Sequence, residues 1–407
     1  MSQIAPFRAL RPAPETAAEV AAVPYDVVST EEARELVAGN PLSFLRVTRS
    51  EVDLPPGTPP YDSRVYAQAS RNFEELKRAA PLTIELAPAL YFYRVKTDWH
   101  EQIGLAGCFS LEEYSHGVIK KHERTRKDKE DDRTRHITEL RAQTGIAFLT
   151  YRAIPAVNAV AQRVSPTPPL YDFVAPDGVT HTIWRVTGAD VSTLVDAFRA
   201  LPSLYIADGH HRVASAARAH DLITGAGTRR RTLESDFVAV AFPDTQVCIL
   251  PYNRVAKDLG SETPESFLVA LQSSGVAVRP GQSMPERRGD VSMYLAGEWY
   301  TLTLPPPDAG ASRIQALDVD LLQRRVLEPL LKIGDVRTDK RIDFVGGIRG
   351  PVELERLVDE GAAAVAFSMY PVNINDLMAI ADTGEVMPPK STWFEPKLRD
   401  GLLVHLI

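Results

Sequence analysis

The 407-residue sequence contains only two cysteines and no long apolar run. Cys108 and Cys248 do not form a Cys-x-x-Cys pair, which excludes a zinc ribbon and favours buried free thiols over a disulfide framework. No apolar stretch is long enough to span a bilayer and no signal-peptide pattern opens the sequence, so we expect a cytoplasmic protein without a membrane partner. The formal net charge of -7 argues against a protein that coats nucleic acid through a general positive field.

The signatures of the common nucleotide-binding enzymes are also absent. There is no Gly-rich P-loop, no Rossmann fingerprint and no set of protein-kinase motifs. The length exceeds the usual limit of a single hydrophobic core, which predicts two domains. Predicted strands and helices alternate without a strict βαβ rhythm, so the expected fold class is α+β with mixed sheets.

The most informative segment present is Asp208-Gly209-His210-His211-Arg212. An apolar run at residues 204–207 predicts a strand before it, Asp-Gly predicts a turn, and the alanine-rich residues 213–219 predict a helix after it. A helix start of this kind favours anions such as phosphate, and Arg212 adds a bidentate donor. Asp208 offers a carboxylate for a proton or a metal ion. A purely local interpretation, in which Asp208 is only a helix N-cap, stays open.

A second ionisable cluster occupies residues 120–133. Up to Lys129 its cations outnumber its anions, although the whole chain is acidic, and His122 and Thr125 interrupt the run. We expect a flexible cationic loop that lies against the Asp208 turn and binds a polyphosphate. The alternative is a solvated helix face held by salt bridges, which is the usual structure of a charge run.

Five segments resemble the domain-of-unknown-function 1015 family. They are residues 23–28, residues 40–47, His122-Glu123-Arg124-Thr125, residues 205–212 and the tail at residues 387–397. The resemblance spans nearly the whole chain. That family is often labelled ParB-like and is similar to the free-serine kinases built on the ParB/sulfiredoxin fold, some of which use pyrophosphate as the phosphoryl donor.

The resemblance implies a ParB/sulfiredoxin-like phosphotransfer domain over residues 1–255. Residues 256–407 would then form a C-terminal α/β domain whose tail returns to the site. The implied reaction moves a phosphoryl group from pyrophosphate, ATP or ADP to the hydroxyl of free L-serine or a similar small hydroxy amino acid, giving O-phosphoserine. Mg²⁺ would accompany the donor. The sequence does not indicate which residues hold the metal, or the oligomeric state.

Each candidate residue receives a role from this reaction. A carboxylate must take the hydroxyl proton, and we predict Asp208 for this, with Glu123 as the second candidate. The predicted phosphate-binding residues are His210, His211, Arg212, His122, Arg124, Arg126, Lys127 and Arg133. Possible additional site residues are Lys390, Ser391, Tyr25 and Asp26.

Other functions stay open on the sequence alone. A ParB-like nucleotide- or nucleic-acid-binding protein without kinase activity should carry a basic recognition helix, and the only comparable basic run is residues 229–231. A metal-dependent hydrolase could use His122, His210, His211 and Asp208 as ligands. A silent pyrophosphate or nucleotide sensor is a further alternative. A sulfiredoxin-like reductase fails, because no cysteine adjoins the histidines.

Overall fold

The structure of the protein, a computed structural model, describes residues 2–225 and 235–407. The chain forms two compact units. The first is Met1–Val247 together with Pro396–Ile407, and the second is Cys248–Glu395. The predicted domain boundary between residues 255 and 256 stays a prediction.

The first unit contains a nine-stranded sheet and several two-residue strand pairs among its described residues. Its strands up to Val247 are β1 (Ile4–Ala5), β2 (Leu10–Arg11), β3 (Thr83–Ile84), β4 (Leu90–Lys96), β5 (Glu101–Ser110), β6 (Ile119–Lys120), β7 (Ala142–Gln143), β8 (Ala147–Tyr151), β9 (Tyr171–Val174), β10 (Thr180–Val186), β11 (Leu204–Asp208) and β12 (Asp236–Pro243).

The large sheet is mixed, with the order β6-β11-β8-β12-β5-β4-β10-β9 and β1 paired with β5. Strands β6 and β11 are parallel, as are β8 and β12, whereas the other neighbours are antiparallel. Parallel strands run in one direction, so the chain leaves β6 and β11 at the same edge of the sheet. The predicted α+β class with mixed sheets is therefore confirmed.

Helices surround this sheet and supply two apolar clusters. The helices are α1 (Ala17–Val20), α2 (Thr30–Val37), α3 (Leu45–Thr48), α4 (Ser63–Ala79), α5 (Leu111–Ser115), α6 (Lys127–Leu140), α7 (Pro155–Val164), α8 (Ala189–Arg199) and α9 (His210–Thr224), with short 3-10 turns at Pro14–Thr16 and Ser50–Asp53. Apolar side chains of α7, α8 and α9 are buried against the sheet, while α2, α3 and α4 contribute to a second cluster.

Local signals located several elements correctly. The sequence predicts Ser29 or Thr30 as the cap of α2, and Ser29 caps it through a capping box with Glu32. Strands β4 and β5 pair antiparallel, as their adjacent apolar runs predict. Strand β11 and helix α9 flank the Asp-Gly turn at the predicted positions.

Two local predictions are wrong, and a third holds only for part of its segment. The apolar residues within 43–47 predict a strand, but this segment enters the helix α3, where Leu45 and Val47 are buried and tertiary packing overrides β-propensity. The sequence of residues 23–29 predicts a short strand broken by a proline, but no strand forms there, and residues 25–28 are turns and bends. The charged segment is a loop only up to residue 126, because Lys127 begins the regular helix α6. This helix is stabilised by polar partners in other segments, Tyr66 for Asp132 and the carbonyl of Val47 for His136, which the sequence pattern does not show.

The second unit is built on a six-stranded antiparallel sheet of order β15-β17-β16-β19-β14-β18. Its strands are β13 (Cys248–Leu250), β14 (Tyr252–Ala256), β15 (Ala277–Pro280), β16 (Asp290–Leu295), β17 (Glu298–Thr303), β18 (Ile342–Gly346), β19 (Val365–Ser368) and β20 (Trp393–Glu395). Its helices are α10 (Pro264–Ser273), α11 (Asp318–Leu322), α12 (Gly350–Asp359) and α13 (Ile374–Asp382), with a π-turn at Gln323–Leu327 and a 3-10 turn at Gly347–Arg349. The pattern of residues 319–331 predicts a single amphipathic helix, but α11 ends at Leu322 and the π-turn follows it.

The chain returns to the first unit after Glu395. Its last strand, β21 (His405–Leu406), pairs antiparallel with β7. Both cysteines are free; Cys108 is buried, whereas Cys248 is only half-buried. Within residues 2–225 and 235–407, no helix is both long and apolar enough to cross a membrane.

Candidate functional site

The Asp208 turn lies at the carboxyl end of β11, where the chain turns into α9. Gly209 has a φ of +90°, a left-handed conformation that side-chain-bearing residues rarely adopt. A Cβ at this position would lie 3.2 Å from Cδ of Arg212 and 3.4 Å from Cα of Ala147. Glycine therefore allows the sharp turn and the close approach of β8, which together fix the direction of the Asp208 side chain.

Both carboxylate oxygens of Asp208 accept hydrogen bonds. Oδ1 accepts from the backbone N–H of Gly209 at 2.8 Å, and Oδ2 accepts from Nζ of Lys397 at 2.8 Å. Burial alone would raise the pKa of Asp208, but the charges of Lys397 and Arg212 outweigh burial and hold this pKa well below its ordinary value. Asp208 is thus an ionised carboxylate with a fixed orientation, and it is not the N-cap of α9, since that position is Gly209.

The two histidines of the motif contact the charged segment that follows β6. The backbone N–H of His122 donates to Nε2 of His210 at 3.4 Å, and the backbone N–H of Arg126 donates to Nε2 of His211 at 3.0 Å. These contacts follow from the parallel pairing of β6 with β11, which brings the residues after both strands to one edge of the sheet. Segments about 85 residues apart in sequence therefore form one site.

The buried histidine pair is neutral. The rings of His122 and His210 meet edge to face with centroids 4.4 Å apart. Burial lowers the pKa of His122 to about 4, and burial with the neighbouring His122 lowers the pKa of His210 well below its ordinary value. Because Nε2 of His210 accepts a hydrogen bond, its proton is on Nδ1, which lies 3.9 Å from Oε2 of Glu123. His210 can thus serve as a neutral N–H donor.

Arg212 is buried and already has protein acceptors. Its Nη1 donates to the carbonyl of Ile146 at 2.8 Å, and its Nη2 donates to Oδ1 of Asp26 at 2.7 Å. Burial by itself lowers the pKa of this guanidinium. The carboxylates of Asp26 and Asp400 outweigh burial and raise the pKa above its ordinary value, so Arg212 is always charged. Phosphate binding by Arg212 stays a prediction, and in this structure the guanidinium links three segments of the chain.

Tyr25 and Arg133 extend this buried cluster. The guanidinium of Arg133 lies 4.3 Å from the centre of the Tyr25 ring, and that of Arg212 lies 5.7 Å from it. Arg133 also donates to Oδ2 of Asp132 at 2.7 Å. A cavity of about 20 Å³, room for about one water molecule, adjoins Tyr25, Arg133 and Arg212. Arg133 lies in the interior of α6 rather than on a loop. Its predicted contact with phosphate stays a prediction.

The remaining predicted cations face solvent. Arg124 and Lys127 are exposed. The Arg126 side chain is 68% exposed and lies 2.8 Å from Asp128. These three side chains belong to one short stretch beside the histidines, so they are the cations most accessible to a charged ligand.

Lys390 and Ser391 lie in the second unit. Nζ of Lys390 lies 5.1 Å from the ring centre of Tyr252, and the Ser391 hydroxyl donates to the carbonyl of Pro388 at 2.6 Å. Their part in the site stays a prediction.

Sequence reasoning missed two residues of the cluster, Lys397 and Asp400. Asp400 is buried, and its Oδ1 accepts from the backbone N–H of Ile146 at 3.3 Å. Burial raises the pKa of Asp400 to about 7, although the nearby Arg212 lowers it. Lys397 ends the tail segment that carried the family resemblance, but no local pattern distinguishes it from Lys390. A lysine's ion-pair partner is set by tertiary structure.

Two observations bear on the alternative functions of a metal-dependent hydrolase and a nucleic-acid-binding protein. Among the residues that the structure describes, no group of three or more His, Cys, Asp or Glu side chains has the arrangement of a metal site. The basic run at residues 229–231 lies outside the described residues.

The chain belongs to the family described as protein of unknown function (DUF1015), whose model matches residues 4–320. No curated protein matches it. The match extends over most of the first unit and into the second, and it includes the Asp208 motif and the charged segment. The family resemblance is therefore confirmed.

Similar solved structures cover about three quarters of the chain at low identity. A conserved hypothetical protein from Pyrococcus furiosus has 16% identity and a TM-score of 0.37, over 74% of this chain and 95% of that one. A free serine kinase in complex with AMP has 14% identity and a TM-score of 0.37, over 73% and 91%. SbnI with C-terminal truncation from Staphylococcus aureus has 12% identity and a TM-score of 0.40, over 74% and 87%.

Proposed function

We propose that this protein is a phosphotransferase that moves a phosphoryl group to the hydroxyl of free L-serine or a similar small hydroxy amino acid. The observation that carries the proposal is the pair of hydrogen bonds from the backbone of His122 and Arg126 to His210 and His211. These bonds join the ionised Asp208 to a cation-rich segment, and phosphoryl transfer requires both a carboxylate and cations. The resemblance of the motifs to free-serine kinases supplies the acceptor.

In the proposed reaction the hydroxyl oxygen of serine attacks a phosphorus of pyrophosphate. The bond between that phosphorus and the bridging oxygen breaks, and the products are O-phosphoserine and inorganic phosphate. Asp208 accepts the hydroxyl proton late, as the new bond forms and the hydroxyl becomes acidic, and the proton then passes to the departing phosphate or to water. Glu123 is the second candidate for this role, because its carboxylate also lies beside His210.

The exposed cations and the neutral histidines would bind the donor in two different ways. Arg124, Arg126 and Lys127 are accessible and would neutralise the phosphate oxygens. His210 would donate a hydrogen bond from Nδ1 without adding charge. Arg212 and Arg133 have acceptors within the protein, so we assign to them the support of the site as well as the predicted contact with phosphate.

We propose a compact donor, pyrophosphate or another short polyphosphate, rather than a large nucleotide. A nucleobase requires an accessible apolar or aromatic surface. The Tyr25 ring is buried beside two guanidinium groups, and the Tyr114 ring lies 4.5 Å from Nζ of Lys121. Phe394 is buried in the second unit, where Trp393 lies against Tyr252. Within the first unit, neither the buried Tyr25 ring nor the buried Tyr114 ring offers an open face to a nucleobase.

The residues present fit a magnesium ion that arrives with the donor. Mg²⁺ commonly uses one or two protein carboxylates beside substrate phosphates and water. Glu123, whose side chain is 36% exposed, is the carboxylate that would hold it, while Asp208 would accept the hydroxyl proton. When bound, the ion would neutralise charge on the phosphates.

The test is to incubate pure full-length protein with Mg²⁺, L-serine and pyrophosphate, ATP or ADP in turn, and to measure O-phosphoserine by mass spectrometry. We expect product with pyrophosphate and none with the Asp208→Asn variant. Calorimetric titration of each donor at equal Mg²⁺ identifies the preferred one, and tighter binding of ATP or ADP would overturn the compact-donor proposal alone. Donor binding without product for any small hydroxy amino acid would overturn the kinase and favour a sensor.

A further inference from the structure

Asp208 lies within the residues matched by the family model, but its ion-pair partner Lys397 does not. Lys397 belongs to Pro396–Ile407, whereas the family match ends at residue 320. Its Nζ lies 2.8 Å from Oδ2 of Asp208, and only 12% of the Lys397 side chain is exposed, against 27% for Asp208. This lysine differs from the exposed cations, since it is held against the carboxylate instead of facing solvent.

The segment that carries Lys397 is fixed by contacts that do not involve its side chain. The backbones of Asp400 and Ala22 exchange hydrogen bonds of 2.9 and 3.1 Å, and the backbone N–H of Arg399 donates to the hydroxyl of Tyr93 at 3.2 Å. Strand β21 then pairs with β7. Replacement of the Lys397 side chain should therefore leave the segment in position.

The geometry of the carboxylate indicates what the lysine does. One oxygen of Asp208 accepts from the backbone N–H of Gly209 and the other from Lys397, so two donors fix the plane of the carboxylate. Burial favours the protonated form of a carboxyl group, which cannot accept a proton from a substrate. A positive charge in direct contact opposes that effect.

We propose that Lys397 is a positioning residue of this site, which fixes the orientation of the Asp208 carboxylate and preserves its negative charge. This proposal rests on the proposed function only in taking Asp208 as the proton acceptor of a phosphoryl transfer. The pairing itself is tested without turnover.

The test measures the titration of Asp208 directly. Protein labelled with ¹³C at the Asp carboxyl carbon is titrated by NMR, and the Asp208 signal is assigned with the Asp208→Asn variant. We expect the Asp208 midpoint in Lys397→Met to lie about 1 to 3 pH units above that of the wild type, because the favourable charge is lost. Lys397→Arg should stay near the wild type. Lys96→Met removes a lysine from an exposed pair with Glu101, 3.4 Å apart, and should leave Asp208 unchanged.

Lys397→Gln keeps a hydrogen-bond donor without the charge, and it replaces Lys397→Met if that variant does not fold. An Asp208 titration in the Gln or Met variant that matches the wild type would overturn the proposal. If O-phosphoserine forms, the acid limb of the pH profile of kcat/KM should move to higher pH in the uncharged variants, whereas a purely structural role would lower kcat/KM equally at every pH. If no product forms, the proposed function fails and the NMR result still decides the role of Lys397.

Discussion

The backbone N–H of His122 donates to Nε2 of His210 across 3.4 Å, although the residues are 88 positions apart. This contact determines which nitrogen of His210 carries the proton, and it directs Nδ1–H toward Glu123. It also explains why a basic segment and an Asp-Gly turn form one site: the parallel strands β6 and β11 end at the same edge of the sheet.

Asp208→Asn should remove turnover and largely spare donor binding. The amide keeps the size of the side chain but cannot accept the hydroxyl proton, a loss of about 10²–10⁴ in rate for a general base. Steady-state kinetics and calorimetry of pyrophosphate measure the two effects separately. Glu123→Gln is the matched variant and should cost less in rate. Near-wild-type activity of Asp208→Asn would reassign the base to Glu123.

Arg212→Ala should weaken donor binding and also destabilise the protein. It leaves Asp26 and the Ile146 carbonyl without their donor. We expect a loss of about 2–3 kcal/mol in the free energy of unfolding, below the range for a fully buried pair because Asp26 is partly exposed to screening solvent. Urea denaturation measures this loss. The control is Arg126→Ala, which removes an exposed arginine and should change stability little. Equal stability of the two variants would contradict a supporting role for Arg212.

Gly209→Ala should destabilise the protein more than Gly117→Ala. Both glycines have positive φ, +90° and +74°, so each alanine carries a backbone cost of about 1–2 kcal/mol. Only at Gly209 does the added Cβ approach other atoms, Cδ of Arg212 and Cα of Ala147, since nothing lies within 4 Å at Gly117. Thermal denaturation of both variants isolates the crowding contribution. A smaller loss at Gly209 would show that the turn can relax.

Asp400 should make stability depend on pH between about 4 and 7. Burial raises its pKa to about 7 from an ordinary 3.8, so the folded protein holds the proton more tightly than the unfolded chain. Its contribution is therefore present below pH 4 and is lost as pH rises through 7. Relative to the wild type, Asp400→Asn should gain up to about 4 kcal/mol in unfolding free energy between pH 4 and pH 8.

Urea denaturation across this pH range measures that difference. The exposed Asp98 provides the control, because Asp98→Asn should leave the pH dependence of unfolding as it is in the wild type. An Asp400→Asn variant whose stability tracks the wild type at every pH would mean that Asp400 stays ionised throughout.

The sequence by itself determined the features that depend on neighbours along the chain. The apolar run, Asp-Gly and the alanine-rich stretch are enough to predict β11, the turn at Gly209 and α9, because turn and helix signals act over a few residues. The capping box at Ser29 is local in the same sense. Residue types alone also indicated a carboxylate beside two histidines and an arginine.

Only the tertiary structure decided which of these groups meet and in which charge state. Lys397 pairs with Asp208 across 189 positions and Arg212 with Asp26 across 186, and nothing in the spacing of charges along a chain specifies such partners. The sequence left open whether the charged segment is a loop or a helix face, and tertiary contacts fix helix α6: its buried Asp132 and His136 bond to Tyr66 and to the carbonyl of Val47 in distant segments. Burial then shifts the pKa values of His122 and Asp400, and burial is a property of the folded protein.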